Sequence, residues 1–331
     1  MRSDTETSVV GDATQHRIAL TGATGMLGRH LLDEFLAWPN TRVLALLRAG
    51  SSFVTSRPAP ACERVDFQDR DALASVLKAF QPTVVVHCAA TGMQQPRPGW
   101  EELVSANVTL SARLCELTAS IPGCHFVFVG SGLAYRDQGR PLREDDSLDS
   151  RHPYGATKAA ADQLVQAIAA ETGLRLTVVR PFSFTGPGDR GTKLFPALLR
   201  AAAERRPLAL SPGDQVRDHC AVSDVASGIA LAVARRRELP AETQVFNFGS
   251  GSTETLRQLI EGVVAELGLD VTLQFGARDY APQEPRHLVA DTTRARQLLQ
   301  WRPRTNLAHA IWQLARESYP SLNLNQPRRA P

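Results

Sequence analysis

The chain has 331 residues, 43% of them hydrophobic and 21% charged, with a formal net charge of +3. That length can bury a large core and suits one big domain or two unequal ones, and the composition is ordinary for a soluble globular protein. So small a charge, with no long basic run, excludes nucleic-acid or membrane-surface binding as a composition-driven function. Cys62, Cys88, Cys115, Cys124 and Cys220 are scattered without C-x-x-C spacing, which argues against a zinc site or a disulfide framework. Reduced thiols and a cytoplasmic location are the expectation. Residues 1–16 are rich in Ser, Thr and Asp, lack the pattern of a signal peptide, and are expected to form a disordered tail. No apolar segment approaches the length of a membrane span.

Residues 17–20 form a short apolar run that leads into Thr21-Gly22-Ala23-Thr24-Gly25-Met26-Leu27-Gly28, and an amphipathic segment follows over 29–37. Strand, glycine turn and helix in that order make a dinucleotide-binding unit, in which glycines permit close backbone approach and the helix N-terminus faces a pyrophosphate. The spacing is G-x-x-G-x-x-G. A second strand over 42–47 ends at Arg48, followed by Ser51 and Ser52. A carboxylate at this place suits the ribose 2′-hydroxyl of NAD, whereas an arginine suits a 2′-phosphate. Arg48 therefore favours NADP(H) over NAD(H), with Ser51, Ser52 or Arg29 as helpers.

Val65-Asp66 closes a third strand, and a helix over 69–80 starts at Asp69 and stops before Pro82. Asp66 is placed either to meet the adenine edge or to cap that helix. The β-branched run Thr83-Val84-Val85-Val86-His87-Cys88-Ala89-Ala90 fits a strand buried on both faces of a parallel sheet, with His87 read as a packed core histidine. A long helix over 100–120 contains Asn107. The next strand, 125–129, delivers Ser131 to the carboxyl edge of the sheet, where ligands bind in open α/β folds.

The polar stretch 136–151 reads as a surface loop. A helix over 153–171 then carries Tyr154 and Lys158 four residues apart, hence on one face. A phenol has a pKa of about 10 and is a poor base near neutrality, but an ammonium one turn away stabilises its phenolate. After the strand 176–180, the turn-rich Pro181-Phe182-Ser183-Phe184-Thr185-Gly186-Pro187-Gly188-Asp189 reads as the exit to a substrate-binding region. A helix follows to about residue 204; Asp224 is expected to cap a helix over 225–235, and Arg235, Arg236 and Arg237 to mark its solvated end. Residues 245–248 form a strand expected to return to the main sheet. Helices over 255–267, 291–299 and 307–317 complete the chain.

With these parts placed, the chain from 17 to 317 resembles the extended short-chain dehydrogenase/reductase family, in its nucleotide-sugar epimerase/dehydratase group. The resemblance is carried by the glycine turn, Val86-His87-Cys88-Ala89-Ala90, Asn107, Ser131 with Tyr135, Tyr154 with Lys158, and Arg180-Pro181-Phe182 through Asp189. It continues in Arg217-Asp218, Val222-Ser223-Asp224-Val225-Ala226, Ala290-Asp291 and Trp301-Arg302-Pro303. The resemblance implies a doubly wound Rossmann sheet over 17–182, with 218–250 returning to it, a smaller C-terminal substrate-binding domain over 183–320, and a tail over 321–331. It implies a homodimer packed through the helices 100–120 and 153–171. Ser131, Tyr154 and Lys158 would be the catalytic triad: Tyr154 moves the proton, Lys158 lowers its pKa and touches the nicotinamide ribose, and Ser131 fixes the carbonyl. The cofactor would lie against Thr21, Gly22, Thr24, Gly25, Met26, Leu27, Gly28, Arg48, Asp66, Phe67, Ala89, Ala90, Asn107, Tyr154, Lys158 and Pro181. Substrate would meet Thr91, Ser131, Ser183, Lys193, Arg217 and Arg286, and no metal is implied.

Departures from the family pattern narrow the chemistry. The loop at Ser131-Gly132-Leu133-Ala134 lacks the acidic pair that a 4,6-dehydratase uses, which disfavours elimination. Leu133 and Gly188 stand where a fucose-synthase-type enzyme has its Cys and His. The remaining expectation is an NADPH-dependent ketoreductase acting on a nucleotide-activated 4-keto-6-deoxysugar. Ser183 and Ala281 depart from the family's substrate-binding Asn and second diphosphate arginine, with Arg278 or Arg286 as substitutes. An NAD-dependent nucleotide-sugar epimerase, a reductase of another small carbonyl compound and a non-catalytic NADP sensor are the alternatives.

Overall fold

Residues 16–51, 60–93, 96–191 and 193–327 are described by the structure, a computed structural model. All of the expected N-terminal tail except His16, as well as Ser52 and residues 328–331, lies outside them. β1 (His16–Thr21) rises into the glycine turn, and α1 (Met26–Leu36) returns along the sheet with Leu27, Leu31, Leu32 and Phe35 buried at helical spacing. β2 (Thr41–Leu47) and β3 (Ala61–Arg64) follow, so the third strand ends before Val65-Asp66 rather than with it. α2 (Arg70–Phe80) is capped by Asp69, whose carboxylate accepts from the Ala72 amide at 2.9 Å. β4 (Val84–His87) is wholly buried. The expected long helix is α3 (Trp100–Val104), a π turn at Ser105–Thr109, and α4 (Leu110–Ala119). β5 (His125–Val129), α5 (Pro153–Thr172) and β6 (Arg175–Pro181) complete the first run.

Beyond Pro181 come β7 (Ser183–Thr185), α6 (Leu194–Ala203), β8 (Leu208–Leu210), β9 (Val216–Arg217), β10 (His219–Ala221) and α7 (Val222–Ala234). β11 (Gln244–Phe248) returns to the main sheet as expected. Its seven strands are all parallel, in the order β11-β6-β5-β4-β1-β2-β3, which is the doubly wound Rossmann arrangement. Alternate strand residues face opposite layers: Ile18, Leu20, Val84 and Val86 pack with α1 and α7, while Ala19, Val85, Phe126 and Phe128 pack with α2, α4 and α5.

The last elements are α8 (Leu256–Leu267), β12 (Leu273–Phe275), β13 (His287–Leu288), α9 (Thr293–Leu299) and α10 (Leu307–Ser318). α6, α8 and α10 bury Phe195, Leu198, Ile260, Val263 and Ile311 in a separate core, and Leu322 and Leu324 of the last described stretch pack against it. Short parallel pairs β7 with β10, β8 with β12 and β9 with β13 lace this part together. Among the described residues no helix is long and apolar enough to cross a membrane.

Three expectations are corrected by tertiary packing. Stretch 136–151 is not simply a surface loop: Leu142 is fully buried and bridges to Ala290, and the Glu144 carboxylate accepts from the Asn247 amide at 2.9 Å. Arg236 is buried, with its guanidinium donating to the Val233 carbonyl at 2.9 Å, so the arginine cluster is not a solvated end throughout. Asp224 does not cap α7, which starts at Val222 after Ala221. Its carboxylate instead accepts from the Arg304 and Thr305 amides and the Thr305 hydroxyl at 2.9, 2.8 and 3.0 Å, and its carbonyl accepts from the Trp301 indole at 3.0 Å. One side chain thus clamps the segment before α10 onto α7. Asp224→Ala removes three acceptor contacts and is expected to destabilise the fold by about 1–3 kcal/mol in urea unfolding, with Asp224→Asn retaining part of the loss; equal stability of both variants and wild type would refute the clamp.

Candidate active site

The glycine turn packs too closely for side chains. Gly22 has φ +76, and a Cβ there would stand 2.6 Å from the Ala89 nitrogen; a Cβ on Gly28 would stand 1.9 Å from the Gly22 carbonyl oxygen. The Gly25 amide donates to the Gly22 carbonyl at 2.9 Å, which closes the turn at the start of α1. No side chain caps α1, and Thr24 and Gly25 just before it are exposed. A bare helix N-terminus over a glycine turn fits a dinucleotide pyrophosphate. The tips of β1 and β4 are tied together: the Thr21 hydroxyl accepts from the Ala89 amide at 3.2 Å and pairs with His87 Nδ1 at 2.7 Å. His87 Nε2 meets the Ser111 hydroxyl at 3.0 Å, and burial first, with Lys158 adding to it, drives the imidazole down to about 3. His87 is a neutral core residue, as its strand context implied.

Arg48 is exposed just past β2. Arg29 is not its helper: the guanidinium lies against Gly188, where an added Cβ would stand 1.7 Å from Nη2. Asp66 is exposed and accepts from the Gln68 amide at 2.9 Å. Phe67 is buried against the α2 side of the sheet, and its carbonyl accepts from Arg113 at 2.5 Å.

The start of α5 docks on the loop after β5 because Gly155 has no side chain. A Cβ there would stand 2.2 Å from the Leu133 carbonyl oxygen and 2.2 Å from Ser150 Oγ. This approach brings Tyr154 and Ser131 together on one wall, with the serine hydroxyl favouring the ionised phenol. Ser131 Oγ also accepts from the Leu133 amide at 3.1 Å. Burial raises the Tyr154 phenol above its ordinary value, Cys88 adds to the rise, and Ser131 offsets part of it. The phenol therefore holds its proton through the neutral range.

Lys158 is 1% exposed. Its Nζ donates to the Val129 carbonyl at 2.5 Å and lies 4.3 Å from the centre of the Phe128 ring. Burial lowers the ammonium to about 8, opposed by Cys88 and then Asp162. Asn107 is fully buried in the π turn. Its amide donates to the Thr91 carbonyl and the Thr157 hydroxyl and accepts from the Thr91 amide, each at 2.9 Å. Thr157 in turn donates to the Tyr154 carbonyl at 2.9 Å, so Asn107 reaches the site through the segments it holds.

Tyr154 and Ser131 open onto a cavity of about 370 Å³ between the sheet edge and α6. Ala90, Pro181, Ser183 and Lys193, expected from the sequence, line it. Lys193 pairs with buried Asp189 at 3.1 Å, and Asp189 accepts from the Thr185 hydroxyl at 2.9 Å. Cys88, Leu133, Phe182, Phe184 and His219 also line it and were missed as site residues. For the first four the signal was position, since each lies just past a strand end already read as delivering a site residue; His219 sits on β10, a strand not read from the sequence. Two expected substrate ligands stand differently. Arg217 is buried and paired with Glu284 at 2.9 Å, and Arg286 is exposed, its guanidinium 3.4 Å from the Tyr280 ring centre.

A parallel sheet with a glycine cradle at its carboxyl edge and a Ser-Tyr-Lys constellation beside it define an NAD(P)-dependent oxidoreductase. The family model described as NAD dependent epimerase/dehydratase family matches residues 18–249, and the chain belongs to that family. A Kitasatospora kifunensis protein described as dTDP-6-deoxy-L-talose 4-dehydrogenase (NAD(P)(+)) is 30% identical over 311 residues, covering 90% of this chain and 94% of its own. A UDP-glucose 4-epimerase of Streptomyces lividans is 28% identical over 314 residues, covering 87% and 92%. Among solved structures, MoeE5 in complex with UDP-glucuronic acid and NAD has a TM-score of 0.79 at 26% identity, covering 92% of this chain and 100% of that one.

Lys158 carries its charge below about pH 8 and loses it above. Turnover that needs this cation is expected to fall as pH rises through that value. Lys158→Met should remove the limb and slow turnover by at least about a hundredfold; an unchanged pH profile would take Lys158 out of the mechanism.

Proposed function

We propose that this enzyme is an NADPH-dependent ketoreductase acting on a nucleotide-activated 4-keto-6-deoxysugar. The observation that carries the reading is the character of the cavity wall next to Tyr154, where Leu133, Phe182, Phe184 and Leu288 form an apolar surface suited to a deoxygenated sugar carbon. The relative that is 30% identical, described as a dTDP-6-deoxy-L-talose 4-dehydrogenase, supports it. The Rossmann sheet and glycine cradle hold the cofactor, and the part built on α6, α8 and α10 holds the substrate. A bound nicotinamide supplies the hydride. Ser131 orients the carbonyl, Tyr154 delivers its proton to the developing alkoxide, and Lys158 supports the phenolate left behind. The preference for NADPH rests on Arg48, which stands where a carboxylate would otherwise meet the ribose hydroxyl.

A second reading, a nucleotide-sugar 4-epimerase with retained NAD, is favoured by relatives such as the Streptomyces lividans enzyme. Steady-state oxidation of NADPH and NADH with a panel of nucleotide-linked 4-keto-6-deoxysugars separates the two. Turnover with NADPH is expected, and Arg48→Asp should move the preference toward NADH by about tenfold or more. No turnover, with tightly held NAD in the purified protein, would replace the reductase with the epimerase.

The enzyme is further proposed to be a homodimer packed through α3, α4 and α5. Trp100, Val104 and Leu164 on these helices are 56%, 44% and 39% exposed, three of the five exposed large apolar side chains among the described residues. Leu164→Glu with Val104→Glu should yield a monomer in analytical ultracentrifugation; a wild-type monomer would remove this assignment.

A further inference from the structure

A second cavity, of about 510 Å³, shares no lining residue with the cavity at Tyr154. Ser250 and Gly251, just past the end of β11, form one side of it, and the stretch that leads from Ala290 into α9 forms another. These walls are built without a ligand. Asp218 is fully buried and accepts from the Ser250 amide at 2.6 Å, the Ser250 hydroxyl at 2.7 Å, the Gly251 amide at 2.9 Å and the Ala290 amide at 3.1 Å. Leu142, beside Pro141 of the lining, bridges to Ala290, and the Asp291 amide donates to the Leu142 carbonyl at 2.8 Å. The backbone donors of the walls are therefore already used by the protein itself.

Several side chains of the lining are not. Thr292 is 5% exposed, and its hydroxyl makes no hydrogen bond among the described residues, an unusual state for a buried polar group. Arg296 and Arg302 also line the cavity, and among the described residues neither guanidinium makes a hydrogen bond or an ion pair. Neighbouring exposed arginines do: Arg140 meets Asp146 at 2.6 Å, and Arg143 meets Asp145 at 3.3 Å. Asp291 is the one carboxylate in the lining, and it accepts from the Thr293 amide at 2.8 Å. Burial would raise its carboxyl, but Thr293, then Arg143 and Arg296, hold it below its ordinary value, so it stays ionised as an acceptor. Two guanidinium groups against one carboxylate leave the lining with a positive charge in excess.

We infer that this cavity binds a sugar phosphate. Arg296 and Arg302 take the phosphate, whose oxygens match the planar fork of a guanidinium. Asp291 and Thr292 take hydroxyls of the sugar, and Pro141 and Pro303, an apolar part of the lining, pack against its carbons. The volume lies within the range of about 300–1,000 Å³ usual for small-molecule sites. An inorganic anion would fill a small part of it and leave Asp291 and Thr292 unused. None of these residues belongs to the Tyr154 cavity, so the site is independent of the substrate assigned there.

Calorimetric titration of glucose 1-phosphate and of inorganic phosphate into the full chain tests the site, for wild type, Arg296→Gln, Arg302→Gln and the double variant. Wild type is expected to bind glucose 1-phosphate at least about tenfold more tightly than phosphate, each single variant to lose about tenfold, and the double variant about a hundredfold. Hydrogen exchange of wild type locates the ligand: saturating glucose 1-phosphate should slow exchange in peptides covering 250–253 and 290–297, and in none covering the glycine turn 21–28. Equal binding by wild type and the double variant, or protection confined to other segments, would overturn the site. Equal affinity for the two ligands would overturn the sugar phosphate as its occupant, and no binding of either by wild type would overturn both.

Discussion

The site depends on one buried ion pair, Arg180 with Asp162. The guanidinium meets the carboxylate at 2.8 and 3.0 Å, with the two side chains 3% and 0% exposed. Its third nitrogen donates to the Tyr135 hydroxyl at 2.7 Å and the Glu144 carbonyl at 2.9 Å, and Tyr135 donates to Asn247 at 2.7 Å. Burying two charges repays their desolvation only when the remaining hydrogen bonds are made, and losing one partner of such a pair costs about 3–5 kcal/mol. Here the bonds are made, and they join α5, β6, β11 and the loop after β5. Gly130 packs beside the pair: a Cβ there would stand 3.2 Å from the Val179 carbonyl oxygen, 3.3 Å from Asp162 Oδ2 and 3.4 Å from the Arg180 side chain.

The pair also sets the rotation of α5. Tyr154, Lys158 and Asp162 follow at four-residue spacing on one stripe, so fixing Asp162 against β6 aims the other two at the end of β5. Lys158 ends on the Val129 carbonyl and the Phe128 ring, with Asp162 one turn below. In this arrangement the rise of the Tyr154 phenol is offset by Ser131, where the sequence pointed to Lys158. In the proposed mechanism the two residues divide the work: Ser131 favours the ionised phenol, and Lys158 provides the buried positive charge.

Periodicity and turn chemistry made the Rossmann half legible. The glycine turn, the β-branched strands and the proline-started α5 are local signals, and the structure follows them to within a few residues. What the chain alone could not convey was which polar residues are consumed by distant partners. Asp224 looked like a helix cap because it sits beside a helix start, but its partners, Arg304 and Thr305, are about eighty residues away. Leu142 hid in a polar stretch, since its burial comes from packing against Tyr135, Phe182 and Leu288. Asn107 was recognisable as special, yet its bonds to Thr91 and Thr157 depend on a π turn that no local composition announces. Cys88 and Phe182 entered the cavity for the same reason: strand ends can be placed from sequence, but which side chains share a wall is decided by the crossing of separate layers.

The two ends of the proposed substrate meet different physics. At the reacting end, Ser131, Tyr154 and the apolar side chains already share one cavity wall. At the nucleotide end, the expected cation is already engaged. The family pattern has a second arginine near 281, and this chain has Ala281 at the start of a turn whose Glu284 holds Arg217. Arg286, the nearby substitute, is spread over the Tyr280 ring with its amide bound to Asp137. Loss of one cation and pairing of the other with a carboxylate lie in the same few residues. On the proposed reading, a hydroxyl added to the sugar would have to be desolvated against the apolar wall of Phe182 and Phe184 beside Tyr154.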